Sequence, residues 1–189
     1  MLDIAGAKKP AKMEGRIFLG ERAEKPRTYV FGARDRCDET VFRFRTVRDA
    51  RFRYIRNFTP ERPFLQPNEY KERSYPVWNL LKQLHADGQL TPVQEILCAP
   101  TMPAEELYDL LADPHEVRNL ANSPQHQATL IRLRSALEDW IAATHDQGAT
   151  LEPPELATRK GVMKPGTNPQ TGYTAEDAGA PRPAQPRGR

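Results

Sequence analysis

The sequence predicts an α+β fold: a small antiparallel sheet of about four strands, packed by a long C-terminal helix and followed by a disordered tail. Three observations carry that expectation. Residues 28–58 hold three short runs rich in aromatic and β-branched residues, two of them alternating with arginine. Residues 124–146 repeat apolar side chains at helical spacing. From about Thr150 the chain turns to Pro, Gly and polar residues, too poor in apolar surface to offset chain entropy.

The first 26 residues are irregular, because Gly6, Pro10, Gly15, Gly20 and Pro26 recur too often for a long element. Ile17-Phe18-Leu19 is a short apolar patch, and the opening reads as though it begins inside a fold. Thr28–Phe31 is the first strand, ended by Gly32 and followed by a polar loop, Ala33–Glu39. Phe42–Arg48 alternates, with Phe42, Phe44 and Thr46 on one face and Arg43, Arg45 and Val47 on the other. Asp49-Ala50 turns the chain into Arg51–Phe58, which alternates again, so the two runs form an antiparallel hairpin. The aromatic face is the one expected to take a cover, which leaves the arginine face open.

Four prolines (Pro60, Pro63, Pro67 and Pro76) make residues 59–76 a loop. Val77, Leu80, Leu81 and Leu84 then stripe a helix to about Ala86, with Trp78 at the stripe's edge and Gly88 as the stop. Thr91-Pro92 is an N-cap with Pro at the first helical position, opening a short helix to about Leu97. Glu105–Leu110 is the fourth strand. Asp113-Pro114-His115-Glu116 has the pattern of a helix start with a capping box. Ser123-Pro124 opens the last helix, where Leu130, Leu133, Leu137, Trp140, Ile141 and Thr144 form one stripe before Gly148.

The 189 residues are enough for one domain and a tail, and 38% hydrophobic residues allow only a modest core. No run of 18 apolar residues occurs, so no membrane span is expected, and the N-terminus shows no signal-peptide pattern. Two cysteines, Cys37 and Cys98, are too few for a disulfide framework. The net charge of +3 hides an asymmetry: residues 1–60 hold 15 Lys/Arg against 8 Asp/Glu, a balance of +7, and residues 61–149 hold 7 against 13, a balance of −6. A basic first third calls for a polyanion, a solvated face or an acidic neighbour.

Little conventional chemistry is visible. The four histidines (His85, His115, His126 and His145) contain no i, i+4 metal pair, and no Gly-Lys-Ser/Thr phosphate loop occurs. Asp35, Asp38 and Glu39 share a loop, but Arg34 and Arg36 flank Asp35, so the loop reads as self-compensated rather than metal-binding. The strongest charge signal is Arg34, Arg36, Arg43, Arg45, Arg48, Arg51, Arg53 and Arg56, interleaved with aromatic rings. Arginine forks suit sulfate or phosphate. On a strand, however, rings and arginines face opposite ways, so a solvated or interface-facing basic face is favoured over base stacking.

Two segments carry a resemblance. Leu107-Tyr-Asp-Leu-Leu-Ala-Asp-Pro-His-Glu-Val-Arg-Asn-Leu-Ala121 resembles a hallmark near the C-terminus of type I sulfatases, and Thr46–Phe58 resembles the hairpin of the same C-terminal subdomain. Their order and spacing fit, as does the helix ending Leu137-Glu-Asp-Trp140. Leu2–Gly6 with Met13-Glu-Gly15 resembles the stretch that closes the catalytic domain, and the Pro-rich insert resembles the heparan N-sulfatase-like branch. The resemblance implies that residues 1–26 are a remnant of the catalytic-domain end, 27–148 the C-terminal subdomain and 149–189 a disordered tail. Cys98-Ala-Pro-Thr-Met102 departs from the formylglycine signature Cys-x-Pro-Ser-Arg at Thr101 and Met102, so no catalytic residue and no metal ligand is expected in this chain.

Calcium and formylglycine are implied only for a catalytic domain that this sequence lacks, and that domain is the implied partner. A sulfated sugar is the implied substrate, and neither a membrane nor nucleic acid is expected as a partner. Family members are often periplasmic or extracellular. The resemblance puts Ala33–Glu39 at the pocket rim, with Arg34, Asp35, Arg36, Asp38 and Glu39 as the substrate-facing residues: arginines for an anionic sugar, acids for its hydroxyl or amino groups. The rival expectation is a free-standing basic module that binds sulfated glycan or nucleic acid through its arginine-rich strands.

Overall fold

The computed structural model describes residues 1–11, 13–37 and 40–150. The elements run β1 (Val30–Cys37), β2 (Thr40–Arg48), β3 (Phe52–Asn57), α1 (Glu69–Ser74), α2 (Pro76–Ala86), α3 (Pro92–Cys98), β4 (Glu105–Asp109) and α4 (Gln127–Thr144). A single 3-10 turn over Pro124–His126 leads into α4. The four strands form one antiparallel sheet in the order β1-β2-β3-β4. The expected α+β architecture, with a terminal helix on a small sheet, is what the chain adopts. Among the described residues no helix is long and apolar enough to cross a membrane. The disorder expected for 149–189 falls, from residue 151 onward, outside the described residues.

The hairpin turn is organised by Asp49, whose carboxylate accepts the amides of Arg51 (2.8 Å) and Phe52 (2.7 Å). Register then aligns one row across the sheet: Phe31 opposite Val47, Val47 opposite Tyr54, Tyr54 opposite Leu107. Helix α4 lays Leu130, Leu133 and Leu137 onto that row, all buried, with Leu120 and Ala121 closing the side. Each such leucine contributes about 2 kcal/mol by its removal from water. Phe31 stacks on Trp140 with centroids 5.2 Å apart and planes within 7°. His145 ends the helix in the left-handed conformation, φ 53°.

Four local expectations are corrected. First, α4 covers the face that carries Arg45 and Val47, not the Phe42 face. The apolar row beneath the helix is assembled across strands, and β2 alone shows only one valine of it. Phe42 is still buried, on the other side, against Phe44 (5.1 Å) and Phe64 (5.9 Å). Second, Gly32 does not end β1. It sits opposite Thr46, whose Cγ2 would stand 2.9 Å from an added Cβ, so glycine permits the close pairing and the strand runs on through residues 33–37.

Third, the Pro-rich segment contains α1. Asn68 caps it by accepting the Lys71 amide at 2.9 Å, and Pro67 and Pro76 bracket the helix rather than prevent it. Fourth, no helix starts at Asp113. Its carboxylate accepts the amides of Val117 (2.8 Å) and Arg118 (2.7 Å), and Glu116 turns left-handed at φ 54°, which halts the helical turn.

Helices α2 and α3 form as expected, with the Thr91–Gln94 capping box in place. Their packing differs. Trp78 is the buried residue of α2, whereas Val77 (57%) and Leu80 (53%) of the expected stripe are exposed. Segment 1–26 is largely exposed too, Phe18 and Ile4 included.

Candidate functional site

A bulge shapes one end of the sheet. The β1–β2 register shifts between Arg34, opposite Phe44, and Arg36, opposite Val41. Alternation is lost there, and Thr40, Val41, Phe42 and Arg43 are all buried in succession. The loop before α1 supplies the cover. Gln66 pairs with the Val41 backbone in both directions, donating to its carbonyl (2.8 Å) and accepting its amide (3.2 Å), as a neighbouring strand would. Asn68 donates to the Thr40 hydroxyl at 3.0 Å.

Arginines are fixed on the α4 side of this end. Arg45, 2% exposed, donates to Asp146 just beyond α4 (2.7 Å) and to Asp35 of β1 (2.8 Å). Arg43 lies 3.2 Å from the same Asp35 oxygen. Burial opposes the charge on Arg45, but the bonds to Asp146 and Asp35 outweigh it and raise its pKa. Burial likewise pushes Asp146 upward, yet the Arg45 bond and the Gly148 amide hold its carboxyl below the usual range. Gly148 is buried against the Arg45 guanidinium, where a Cβ would collide with that group.

The structure brings Arg34, Asp35 and Arg36 together on β1, as strand rather than loop. Asp35 is the shared counter-ion of Arg43 and Arg45 and still exposes 45% of its side chain. Arg34 is exposed and lies 4.0 Å over the Phe42 ring, an arrangement that fixes its guanidinium at the surface. Asp38 and Glu39 lie outside the described residues. The site thus presents the exposed Arg34, a half-buried Arg36 and one part-exposed carboxylate on a strand braced through Asp35. Sequence reasoning missed Asp146, Gly148, Gln66 and Asn68 as its supports; the polar Asp146-Gln147-Gly148 run after the helix was the available signal.

Among the described residues, three more arginines of the run are tied to acids further along the chain, and Arg48 is not. Arg51 pairs with Asp109 (2.6 Å), Arg53 with Glu116 (2.6 Å) and Arg56 with Glu105 (3.4 Å). Arg134 of α4 grips Glu105 through two bonds of 2.7 and 2.8 Å, and Tyr54 donates to the same carboxylate. Burial and that donation push Tyr54 up to about 12. The opposite charges of the two sequence regions therefore close on each other inside the fold.

Cys98 ends α3 half-buried, and burial together with Glu95 raises its thiol, which disfavours the thiolate. His85 bridges to Glu95 at 2.7 Å, joining α2 to α3. Ser123 and His126 lie 2.9 Å apart at the start of α4, with the His126 ring edge-on to Phe52. Among the described residues no group of three or more His, Cys, Asp or Glu is placed to hold a metal ion.

No family model matches the chain. It is 40% identical over 159 residues to an ulvan-active sulfatase of Formosa agariphila, covering 84% of this chain and 26% of that protein. It is 30% identical over 165 residues to the N-sulphoglucosamine sulphohydrolase of Homo sapiens, covering 86% of this chain and 31% of that one. The solved structure of a 2-O GAG sulfatase superposes with a TM-score of 0.50 and 23% identity over 84% of this chain and 27% of that chain, a likeness of fold. The chain spans between a quarter and a third of the length of the curated relatives it matches. The matched relatives are sulfatases, and the chain is similar to a partial, C-terminal-like segment of them.

Proposed function

We propose that this chain forms a wall of the substrate pocket of a sulfatase acting on a sulfated polysaccharide, and that it does not hydrolyse the sulfate ester by itself. Sulfate-ester hydrolysis needs an activated nucleophile and a cation that neutralises the sulfate oxygens. On this reading both come from a catalytic domain outside the present sequence. What the chain contributes is Arg34, Asp35 and Arg36, with the neighbouring Asp38 and Glu39: arginines for the substrate's anionic groups, carboxylates for its hydroxyl or amino groups.

The observation that supports this best is the ion network of Arg43, Asp35, Arg45 and Asp146, which stiffens that stretch of β1 from beneath. Preorganised groups bind without an ordering cost. The sulfated-sugar context comes from relatives whose names carry ulvan and N-sulphoglucosamine. The rival reading, a basic module using its strands, is disfavoured because Arg43, Arg45, Arg51, Arg53 and Arg56 already face acids of this chain.

The test grafts residues 27–148 in place of the matching segment of the Formosa agariphila sulfatase and measures hydrolysis of a sulfated oligosaccharide, beside the 189-residue chain alone. The chain alone is expected to release no sulfate and the chimera to be active. R34A/R36A in the chimera is expected to raise KM about tenfold, the loss of one to two charge-assisted contacts. Sulfate release by the chain alone, or an unchanged KM, overturns the proposal.

A further inference from the structure

The opposite end of the sheet holds a second basic feature. Val30 pairs with Arg48 at one end of the β1–β2 ladder, and Cys37 with Thr40 at the other. Around the β2–β3 turn, near Val30, opens a cleft of about 530 Å³ whose lining includes Arg27, Arg48, Arg51, Arg132, Asp49 and Phe52.

Two of these arginines are held by carboxylates. Arg132 donates to Asp49 at 2.6 Å and to the Tyr29 hydroxyl at 3.0 Å, and Arg51 lies over the Phe52 ring while bonded to Asp109. Burial pushes Asp49 upward, but the amides of Phe52 and Arg51 and the Arg132 bond outweigh it, so it stays ionised as their anchor. The other two form no ion pair among the described residues, although Glu24 lies within electrostatic reach of Arg27. Arg27 donates to the Glu14 carbonyl, a neutral acceptor, and Arg48 is exposed, its side chain without a hydrogen bond or ion pair among the described residues.

We infer that this cleft is a binding site for a sulfate or carboxylate group carried on a saccharide, separate from the Arg34–Arg36 surface. Positioned arginines around a concavity recognise an oxyanion through paired N–H donors. Phe52 adds an aromatic wall next to them. Charge here is confined to one cleft rather than drawn out as a stripe, which fits one anionic sugar better than a nucleic-acid backbone. The saccharide half of the inference rests on the function proposed above; the anion half rests on the arginines alone. A long polysaccharide would thereby be held at two places on this sheet.

The test titrates the full 189-residue chain with a sulfated tetrasaccharide, its desulfated counterpart and sodium sulfate, by calorimetry over a salt series. The expected result is binding of the sulfated tetrasaccharide above both controls, weakened about fivefold in R48A with the log–log salt slope reduced by about one. R27A is expected to act in the same direction, and R48A is the cleaner variant, because its side chain is exposed and makes no ion pair among the described residues. R34A/R36A separates the two surfaces. Loss of binding in R34A/R36A with none in R48A overturns the cleft and leaves the pocket-wall reading standing. Loss in R48A alone supports the cleft. Absence of binding, equal affinity for sodium sulfate or for the desulfated sugar, or tighter binding of a DNA duplex each overturns the inference.

Discussion

The two faces of the sheet are built from the same strands and reach different ends. On one face, α4 sets Leu130, Leu133 and Leu137 on Val47, Tyr54 and Leu107, and every one of these side chains is buried. Away from that core, α2 and α3 also carry apolar residues at helical spacing, yet Val77, Leu80, Val93 and Ile96 stay more than half exposed. An amphipathic pattern records a need for cover, not the cover itself. The α4 stripe finds its cover within the chain, and the α2–α3 stripe does not find one among the described residues.

Ion pairs differ between the faces in the same way, and this difference is the easiest to break. Arg45 is buried between Asp35 and Asp146 on the α4 side, whereas Arg53 and Glu116 on the opposite side are both partly exposed. Removing one partner of a buried pair strands the other charge at a cost of about 3–5 kcal/mol, and an exposed pair contributes about 0–1 kcal/mol. D146N leaves Arg45 with Asp35 as its remaining carboxylate and is expected to lower the stability by about 1–3 kcal/mol in urea unfolding, and R53Q by less than about 1 kcal/mol. Equal losses would mean that both faces are covered in solution.

Leucine truncation sharpens the same contrast. L133A removes a fully buried side chain and should cost about 3 kcal/mol, while L80A should fall within about 0.5 kcal/mol. A large loss for L80A, growing with protein concentration, would show a second copy covering the α2 stripe. G148A comes next. Its Cβ meets the Arg45 guanidinium, so the expected loss is about 1–3 kcal/mol, and less in a background that already carries R45A.

How much of this was legible in the sequence depends on whether the signal was local. The hairpin, the short α3 and the long terminal helix each announce themselves in a few adjacent residues: Asp49-Ala50, Thr91-Pro92, and leucines three and four apart. The sulfatase resemblance rested on contiguous motifs for the same reason. What was misread depended on residues far apart in the chain. The face that α4 covers was hidden because its apolar row takes one or two residues from each of four strands. Asp146 lies 101 residues from Arg45, and no periodicity links them. Asp113 had the composition of a helix start, but its carboxylate served Val117 and Arg118 instead.

The finest test compares two adjacent glutamates that β4 sends to opposite faces. Glu105 points to the α4 side, where burial pushes its pKa up but the bonds from Arg134 and Tyr54 outweigh that and lower it below its ordinary value of 4.5. A lowered carboxyl contributes stability that is present above the unfolded value and lost as pH falls through the folded one. Glu106 points the other way, beside Tyr108. Burial raises its pKa above 4.5, the negative Glu116 adds to the rise, and the Tyr108 hydroxyl offsets only part. A raised carboxyl contributes stability that is present below the unfolded value and lost as pH climbs through the folded one. E105Q should therefore be less stable than the parent at pH 7, and E106Q more stable, with both differences shrinking toward pH 4. Urea midpoints across pH 4 to 7 read the two signs directly, and a common sign would mean that the two faces impose the same electrostatic environment on β4.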